Sequence, residues 1–334
     1  LPLCLAQDAA HPLLDGGISD HHRRIYLDTE TTGLSGGSGT LVFLVGVALL
    51  TREHVEVTQF LLSRYAGEPA LLRCLSDLIG EKSALVTYNG KSFDIPLLSS
   101  RYRMNGLRDP LGQLPHIDLL HPVRRLFSNR WDNCRLATAE QQLLAFERHD
   151  DMPGAEAPEA WFAYIRRGEA TRLKGVCRHN ALDVLSLPAV RATLIRRIEA
   201  PTPLNLDLRA LARWRQRSDE AAALDLLLRH RRDLDNAALH LLGDLLRRAD
   251  RMDEACLVWD ELASTGSTGA SECLAKYQEH VRGDLASALA YACRLPPSRE
   301  RDHRIGRIRR KMNKEHRRVN QRSDDALEPV QEIR

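Results

Sequence analysis

The sequence lacks the features that mark membrane-spanning and disulfide-stapled proteins. Its longest strongly apolar run, residues 41–50, is far shorter than the roughly 20 residues that a helix needs to cross a bilayer. Its first residues carry neither the basic segment nor the long apolar stretch of a signal peptide. Seven scattered cysteines form no CxxC pair, which argues against a disulfide framework and a thiolate zinc site. We therefore expect a cytoplasmic protein with reduced cysteines.

The chain also lacks a large excess of charge of either sign. Its net charge is only +3, so any attraction to nucleic acid has to come from local patches. Two patches stand out: Arg124, Arg125 and Arg130 beside Trp131, and residues 299–318, which hold ten Lys and Arg against three Asp and Glu. Basic runs are more often solvated helix faces than binding sites, so these patches only support a nucleic-acid partner.

The 334 residues are enough for two domains. Three short apolar stretches within residues 24–62 predict consecutive strands, after which strand and helix patterns alternate. This order predicts an α/β fold with a mixed sheet, antiparallel at first and parallel later, flanked by helices. We assign residues 21–200 to this domain, after an amino-terminal extension of residues 1–20.

From residue 205 onward the sequence is almost wholly helical and repeats itself. Asp-Glu-Ala segments follow Ser218 and Met252, 34 positions apart, and a looser copy follows Gly283. That period is typical of tetratricopeptide helix pairs, which stack because one pair cannot bury its apolar face. The alternative is an irregular helical bundle with coincidental turns. We assign residues 205–295 to tetratricopeptide-like repeats, expected to bind a protein or nucleic acid, and residues 296–334 to a basic tail.

Four acidic residues carry the chemistry that the sequence predicts. Asp28 and Glu30 are two apart on the first predicted strand, so their side chains share a face and can share a metal ion. Asp94, where a strand gives way to a helix, would alone be interpreted as a helix cap. Asp183 follows His179 by one helical turn, a pair that alone is usually an ordinary surface contact. Together the four acids predict a cluster that needs divalent cations, and their hard oxygen ligands favour Mg²⁺ or Mn²⁺.

The segments around these acids resemble the three exonuclease motifs of the DEDD superfamily of ribonuclease H-like nucleases. They are DTETTGL from Asp28, YNGKSFD up to Asp94 and HNALDVLSL from His179. Their arrangement most resembles the YprB-like branch of predicted exonucleases, over roughly residues 20–200. The resemblance implies a ribonuclease H-like sheet and a 3′ to 5′ exonuclease that hydrolyses the phosphodiester bonds of DNA or RNA with two divalent cations, Mg²⁺ or Mn²⁺.

The resemblance also implies a role for each residue of the motifs. Asp28 would bridge both ions, and Asp94 would hold the second ion. Glu30 and Asp183 would complete the site of the ion that generates the nucleophile. His179 is the candidate general base. It precedes Asp183 by four positions, whereas the histidine subgroup of the superfamily usually has five, so a packing or hydrogen-bonding role stays equally open.

Further residues near the motifs are candidates for substrate contacts. We expect Thr31, Asn89, Lys91 and Ser92 to bind the nucleic acid, although such residues are also common in turns before helices. Asp118, after a short predicted strand, is either a fifth acid at the rim of the site or the cap of the helix that follows.

Two other functions stay open at this stage. The chain can be a non-catalytic adaptor that binds nucleic acid or protein, or a structure-selective endonuclease with the same metal site. The presence of all four carboxylates favours an enzyme, because a decayed site would be free to lose them.

Overall fold

The structure is a computed structural model that describes residues 9–33, 39–51 and 53–325, with side chains as far as residue 318. Residues 1–8 of the predicted amino-terminal extension lie outside the described residues, as do residues 34–38, which begin with the last residue of the first motif. The chain divides into two compact units, one up to Leu211 and one from Ala212 onward. Among the described residues, no helix is long and apolar enough to cross a membrane.

A mixed sheet of five strands forms the centre of the first unit. The strands are β1 (Arg23–Thr31), β2 (Val42–Leu50), β3 (Val55–Leu61), β4 (Ser83–Thr87) and β5 (His116–Asp118), in the spatial order β3-β2-β1-β4-β5. The pairs β1–β2 and β2–β3 are antiparallel, whereas β1–β4 and β4–β5 are parallel. The predicted α/β fold, with a sheet that is antiparallel at first and parallel later, is therefore confirmed.

Helices flank this sheet and follow it along the chain. They are α1 (Pro12–Asp15), α2 (Glu68–Leu78), α3 (Asp94–Met104), α4 (Leu120–Phe127), α5 (Leu136–Leu144), α6 (Ala157–Arg167), α7 (Ala170–Glu199) and α8 (Leu208–Arg215). The long helix α7 packs against β1, β2 and β3. Since strands covered in this way are shielded from water, β2 is a nearly continuous apolar run rather than an alternating one. This packing sets the third motif, on α7, over the first motif, on β1.

A buried ion cluster joins the start of the chain to this domain. Asp15, in α1, accepts hydrogen bonds from Arg24 of β1 at 2.9 Å and from Arg191 of α7 at 2.5 Å. The side chains of all three residues are only 1% exposed. Because a buried charge without a partner is strongly destabilising, the cluster holds α1 against both elements.

The second unit consists of helices, which confirms the predicted helical carboxyl-terminal region. They are α9 (Glu220–Arg229), α10 (Asn236–Arg248), α11 (Met252–Ser264), α12 (Thr268–Tyr277), α13 (Leu285–Cys293) and α14 (Arg299–Asp325). From α10 to α14, each helix packs against the next. The three sequence repeats fall at the starts of α9, α11 and α13, where Asp219 and Asp284 cap the first and last of these helices. The sequence repeats therefore mark the starts of alternate helices, which lie 32 and 33 positions apart.

Candidate active site

The first two acids lie side by side on the central strand of the sheet. In β1, Asp28 pairs with Gly46 of β2 and Glu30 pairs with Leu44. Glu30 is 9% exposed, and the strand residues before Asp28 are buried apolar side chains. The period of two along the strand turns both carboxylates toward the same face.

Asp94 reaches the same strand from the turn between β4 and α3. It is the first residue of α3, and its Oδ1 accepts a hydrogen bond of 2.5 Å from the Thr29 hydroxyl. The turn itself is held by Asp118, whose carboxylate accepts hydrogen bonds from the backbone N–H of Asn89 at 2.7 Å and of Lys91 at 3.1 Å. Asp118 is 3% exposed, so it supports the turn that presents Asp94.

Helix α7 contributes Asp183 and His179, which lie one turn apart. Nε2 of His179 is 3.4 Å from Oδ2 of Asp183, and Nδ1 is 2.7 Å from Oδ2 of Asp151. Ligand atoms of Glu30, His179 and Asp183 all lie within 4.8 Å of one another, a spacing at which they can hold one metal ion. The structure thus brings residues of the first and third motifs together.

The charges of the four acids act on one another. Burial, with the charges of Asp183 and Asp94, raises the pKa of Glu30 to about 8. Burial and the charges of the same two residues and of Glu30 raise the pKa of Asp28 well above its usual value. Burial raises the pKa of Asp94 to about 6, although hydrogen bonds from Thr29 oppose the shift. Such a cluster takes up protons unless a cation compensates its charge.

Asn180, which the sequence analysis left without a role, fixes the Asp28 carboxylate. It is fully buried, and its Nδ2 donates a hydrogen bond of 2.9 Å to Oδ2 of Asp28. Gln59 of β3 in turn donates a hydrogen bond of 2.9 Å to Oδ1 of Asn180. Space for the amide comes from Gly46, where an added Cβ would lie 2.2 Å from Oδ1 of Asn180. A glycine inside an apolar strand is a sequence signal for such a close approach.

Arg148, between α5 and α6, is a second residue that sequence reasoning missed. Its guanidinium donates to Asp183 at 2.5 Å, to Glu140 at 2.5 and 2.8 Å, and to Asp151 at 3.1 Å. The side chains of Arg148 and Glu140 are 9% and 1% exposed. No motif surrounds Arg148, so only the folded chain reveals the contact.

The expected substrate residues take different positions around these acids. The hydroxyl of Thr31 donates to the carbonyl of Gly33 at 3.0 Å, at the end of β1. Asn89 has a φ of +70°, the left-handed conformation that Asn tolerates. Lys91 and Ser92 are exposed in the turn before Asp94. Phe93, which the sequence analysis passed over, directly precedes Asp94 in the chain and is 55% exposed.

The arginine patch before α5 is partly engaged within the protein. Arg130 donates to the backbone carbonyls of Pro203 at 2.5 Å and Leu204 at 3.4 Å. Trp131 stacks on Phe127 with ring centroids 4.3 Å apart, which covers one face of the indole. These contacts give both residues a structural role.

Comparison with known proteins identifies the family of this domain. Residues 25–195, which carry all three motifs, match the family model of the RNase H superfamily. The chain belongs to the RNase H superfamily. This membership supports a nuclease, a hydrolase that acts on nucleic acid, and the acidic group of Glu30, His179 and Asp183 is a possible metal site within the superfamily domain.

A relative of this RNase H superfamily member is the uncharacterized protein YprB of Bacillus subtilis (strain 168). The two are 35% identical over 310 residues, which cover 86% of this chain and 74% of YprB. The predicted resemblance to the YprB-like branch is therefore confirmed.

Two solved structures are more distant from the chain. A family B DNA polymerase from the archaeon Pyrobaculum calidifontis has a TM-score of 0.41 at 15% identity, covering 71% of this chain and 30% of the polymerase. Brucella melitensis NrnC with bound Mg²⁺ has a TM-score of 0.35 at 19% identity, covering 65% of this chain and 91% of NrnC. Similarities at these TM-scores carry no argument about function.

Proposed function

We propose that this protein is a metal-dependent nuclease, a 3′ to 5′ exonuclease that hydrolyses phosphodiester bonds with two divalent cations. The observation that carries the proposal is that carboxylate oxygens of Glu30 and Asp183 and a ring nitrogen of His179 lie within 4.8 Å of one another. The two carboxylates would hold an ion there, and the imidazole would lie beside it as the base. Asp28 and Asp94 act electrostatically on the same group. Chain segments far apart in sequence thus deliver acids to one place on the sheet.

The donor set fits Mg²⁺ or Mn²⁺, because both ions prefer oxygen ligands and compensate clustered negative charge. Asp28, Glu30, Asp94 and Asp183 would hold the ions, with Asp28 shared between them. When bound, the two ions would activate water and stabilise the leaving oxygen of the phosphodiester. The raised pKa values of Asp28, Glu30 and Asp94 support this assignment: burial raises all three, the charges of neighbouring acids add to the shift, and bound cations would favour the ionised carboxylates.

His179 is assigned the general base. Its Nδ1 lies 2.7 Å from the Asp151 carboxylate, so the N–H at this atom donates to Asp151 and leaves Nε2 to accept a proton from water. Arg148 lies 3.1 Å from the same carboxylate. The pair Arg148 and Asp151 therefore acts as positioning residues for the imidazole.

Substrate contacts are assigned to the turn that precedes Asp94. Lys91 and Ser92 are exposed for contact with phosphate or sugar. Phe93 offers a ring on which a base can stack, whatever the sequence of the nucleic acid. Asn89 positions the turn through its backbone, and Thr31 lies at the end of β1 on the side of the first motif.

The proposal extends to the whole chain. Residues 21–200 would be the nuclease domain after the extension 1–20, residues 205–295 tetratricopeptide-like repeats with a protein partner, and residues 296–334 a basic tail. The repeats are supported by the starts of α9, α11 and α13, which lie 32 and 33 positions apart. We assign the protein to the cytoplasm.

The proposal is tested with labelled single-stranded and duplex DNA and RNA. Mg²⁺, Mn²⁺ and EDTA are compared for the unmodified protein and for Asp28→Asn. We expect stepwise shortening from the 3′ end that needs a divalent cation and is lost in Asp28→Asn. Internal cleavage would replace the exonuclease by a structure-selective endonuclease. Cleavage that persists in EDTA would exclude the metal mechanism, and binding without any cleavage would favour the adaptor.

A further inference from the structure

Helix α14 presents a strip of unpaired positive charge to solvent. Arg309, Arg310, Lys314, Arg317 and Arg318 are exposed, and within the described part of the chain they make no hydrogen bond or ion pair. Other cations of the helix are engaged: Arg307 and Lys311, for example, bind the buried Glu279 at 2.7 and 2.9 Å. The free charges are thus not needed to hold the helix in place.

Three of these cations define the strip on one side of the helix. With 3.6 residues per turn, Arg310, Lys314 and Arg317 fall, together with His303, within an arc of about 60°, whereas Arg309 and Arg318 lie outside it. No acid from residues 299–318 falls on that arc, although the segment contains three. The ten Lys and Arg of this segment stand in a chain whose total charge is only +3, so the remainder of the chain is net negative. Positive charge is therefore concentrated in this helix.

The opposite face of α14 is already buried. Ile305 is 8% exposed and Ile308 is fully buried, and both belong to an apolar cluster with residues of α12 and α13, against which Met312 also packs. An amphipathic helix that inserts between lipids uses a free apolar face, and on α14 that face is covered. The exposed side can offer only charge and hydrogen bonds.

We propose that this face of α14 binds the phosphate backbone of the nucleic acid, at a site separate from the acidic cluster. Eight of the ten cations in residues 299–318 are arginines, whose planar guanidinium donates two parallel hydrogen bonds to a phosphate. Contacts of this kind carry no sequence information, so they would hold a substrate without selecting it. The proposal rests on the proposed nuclease function for the choice of nucleic acid over an acidic protein.

The test measures binding of labelled DNA and RNA strands by the full chain at several salt concentrations. Asp28→Asn is used throughout to prevent cleavage. The triple substitution Arg310→Gln, Lys314→Gln and Arg317→Gln should weaken binding and lower the slope of log affinity against log salt by about 2 to 3, since each lost phosphate contact removes about 0.7 to 0.9. Thermal unfolding should be unchanged, because these side chains are exposed and unpaired.

A matched control distinguishes the effect of the strip on binding from the effect of a change in net charge. Arg229, Arg231 and Arg251 are also exposed in the second unit, but each is paired with an acid. Replacing these three by Gln makes the same change in net charge and should alter the salt slope by less than half as much. Equal effects of the two triple substitutions would overturn the proposal. Binding of phosphatidylserine vesicles or polyglutamate through the strip, with nucleic-acid binding unaffected, would do the same.

Cleavage is measured separately, with Asp28 unchanged, so that the two proposals can fail independently. If no substrate is cleaved but the salt slope still falls in the strip variant, the nuclease proposal fails and the binding surface stands. If cleavage occurs and the strip variant has the same salt slope as the control variant, the surface fails and the nuclease stands.

Discussion

Arg148 places its guanidinium between Asp183 and Glu140, at 2.5 Å from a carboxylate oxygen of each. Glu140 lies on α5 and Asp183 on α7, so one cation connects two helices and neutralises an acid of the candidate metal site. The side chain of Glu140 is only 1% exposed. Removing the arginine would leave this carboxylate buried without its partner.

Arg148→Ala is accordingly expected to destabilise the protein by about 3 to 5 kcal/mol, the usual cost of breaking a buried ion pair. Urea unfolding in EDTA measures the change. Added Mg²⁺ should recover part of the loss, because a cation at Asp183 replaces one of the three lost carboxylate contacts. Arg167→Ala is the control: Arg167 pairs with Glu169 in solvent, so its loss should change the stability little. A similar loss in both variants would contradict the role given to Arg148.

Asp28→Asn should abolish cleavage while making the metal-free protein more stable. The substitution keeps the shape of the side chain and removes an acid whose pKa is raised by burial and by the charges of Asp183, Asp94 and Glu30. In thermal unfolding, the variant should melt above the unmodified protein in EDTA and gain little from Mg²⁺. Glu81→Gln, at an exposed position, should change neither property. A variant that melts lower in EDTA and still responds to Mg²⁺ would remove Asp28 from the metal site.

Stability of the metal-free protein should fall as pH rises. The pKa of Asp94 is raised to about 6 and that of Glu30 to about 8, both above their values in the unfolded chain. The folded protein therefore binds more protons than the unfolded chain. The resulting stabilisation is complete below the unfolded values and is lost as pH passes through about 6 and then about 8.

Thermal unfolding in EDTA from about pH 5 to about pH 9 measures this loss. The range begins just above the ordinary pKa values of Asp and Glu, which apply in the unfolded chain. Glu30→Gln should flatten the upper part of the curve. Mg²⁺ should stabilise most at the alkaline end, where the acids are ionised. Stability that stays level or rises over this interval would show that the acids are not clustered in solution.

Gly46→Ala should disturb the site from the neighbouring strand. The added Cβ would lie 2.2 Å from Oδ1 of Asn180, so the amide has to move away from Asp28. We expect a loss of about 1 to 3 kcal/mol, as in overpacked cores, together with a lower kcat. In Gly46→Ala with Asn180→Ala the clash is removed but the hydrogen bond is not restored. Stability should then partly recover while kcat stays low, a coupling that a double-mutant cycle detects.

The sequence was sufficient to predict the strands, the helices and the four acids of the candidate site, because each of these depends on local patterns. Side chains two positions apart on a strand point to the same face of the sheet, so the period of the strand predicts that Asp28 and Glu30 lie together. The order of apolar stretches likewise predicts the antiparallel and parallel parts of the sheet. Asp94 and Asp183 could be assigned to the site only in combination with the other two acids, because each alone has an ordinary structural explanation.

The contacts that support the acids were not predictable in this way. Arg148 reaches Asp183 across 35 positions, and Asn180 reaches Asp28 across 152, and nothing in the local sequence specifies either partner. The glycine of β2 was a visible signal, but its meaning depends on which side chain crosses it. Long-range side-chain contacts of this kind depend on how helices pack on the sheet, which local patterns do not determine.

Phe93→Ala should weaken substrate binding without affecting the fold. Phe93 is 55% exposed beside Asp94, so the ring contributes little to the core and is available to stack on a base. Losing a stacked base costs about 1 to 3 kcal/mol, which predicts a KM about 5-fold to 150-fold higher with kcat much less changed. Phe93→Trp should retain a low KM, because an indole also stacks. Leu257→Ala, at a 64% exposed apolar position, is the control and should leave KM unchanged. If neither Phe93→Ala nor Phe93→Trp changes KM, stacking at this position is excluded. A fall in kcat alone would instead indicate that the ring positions Asp94.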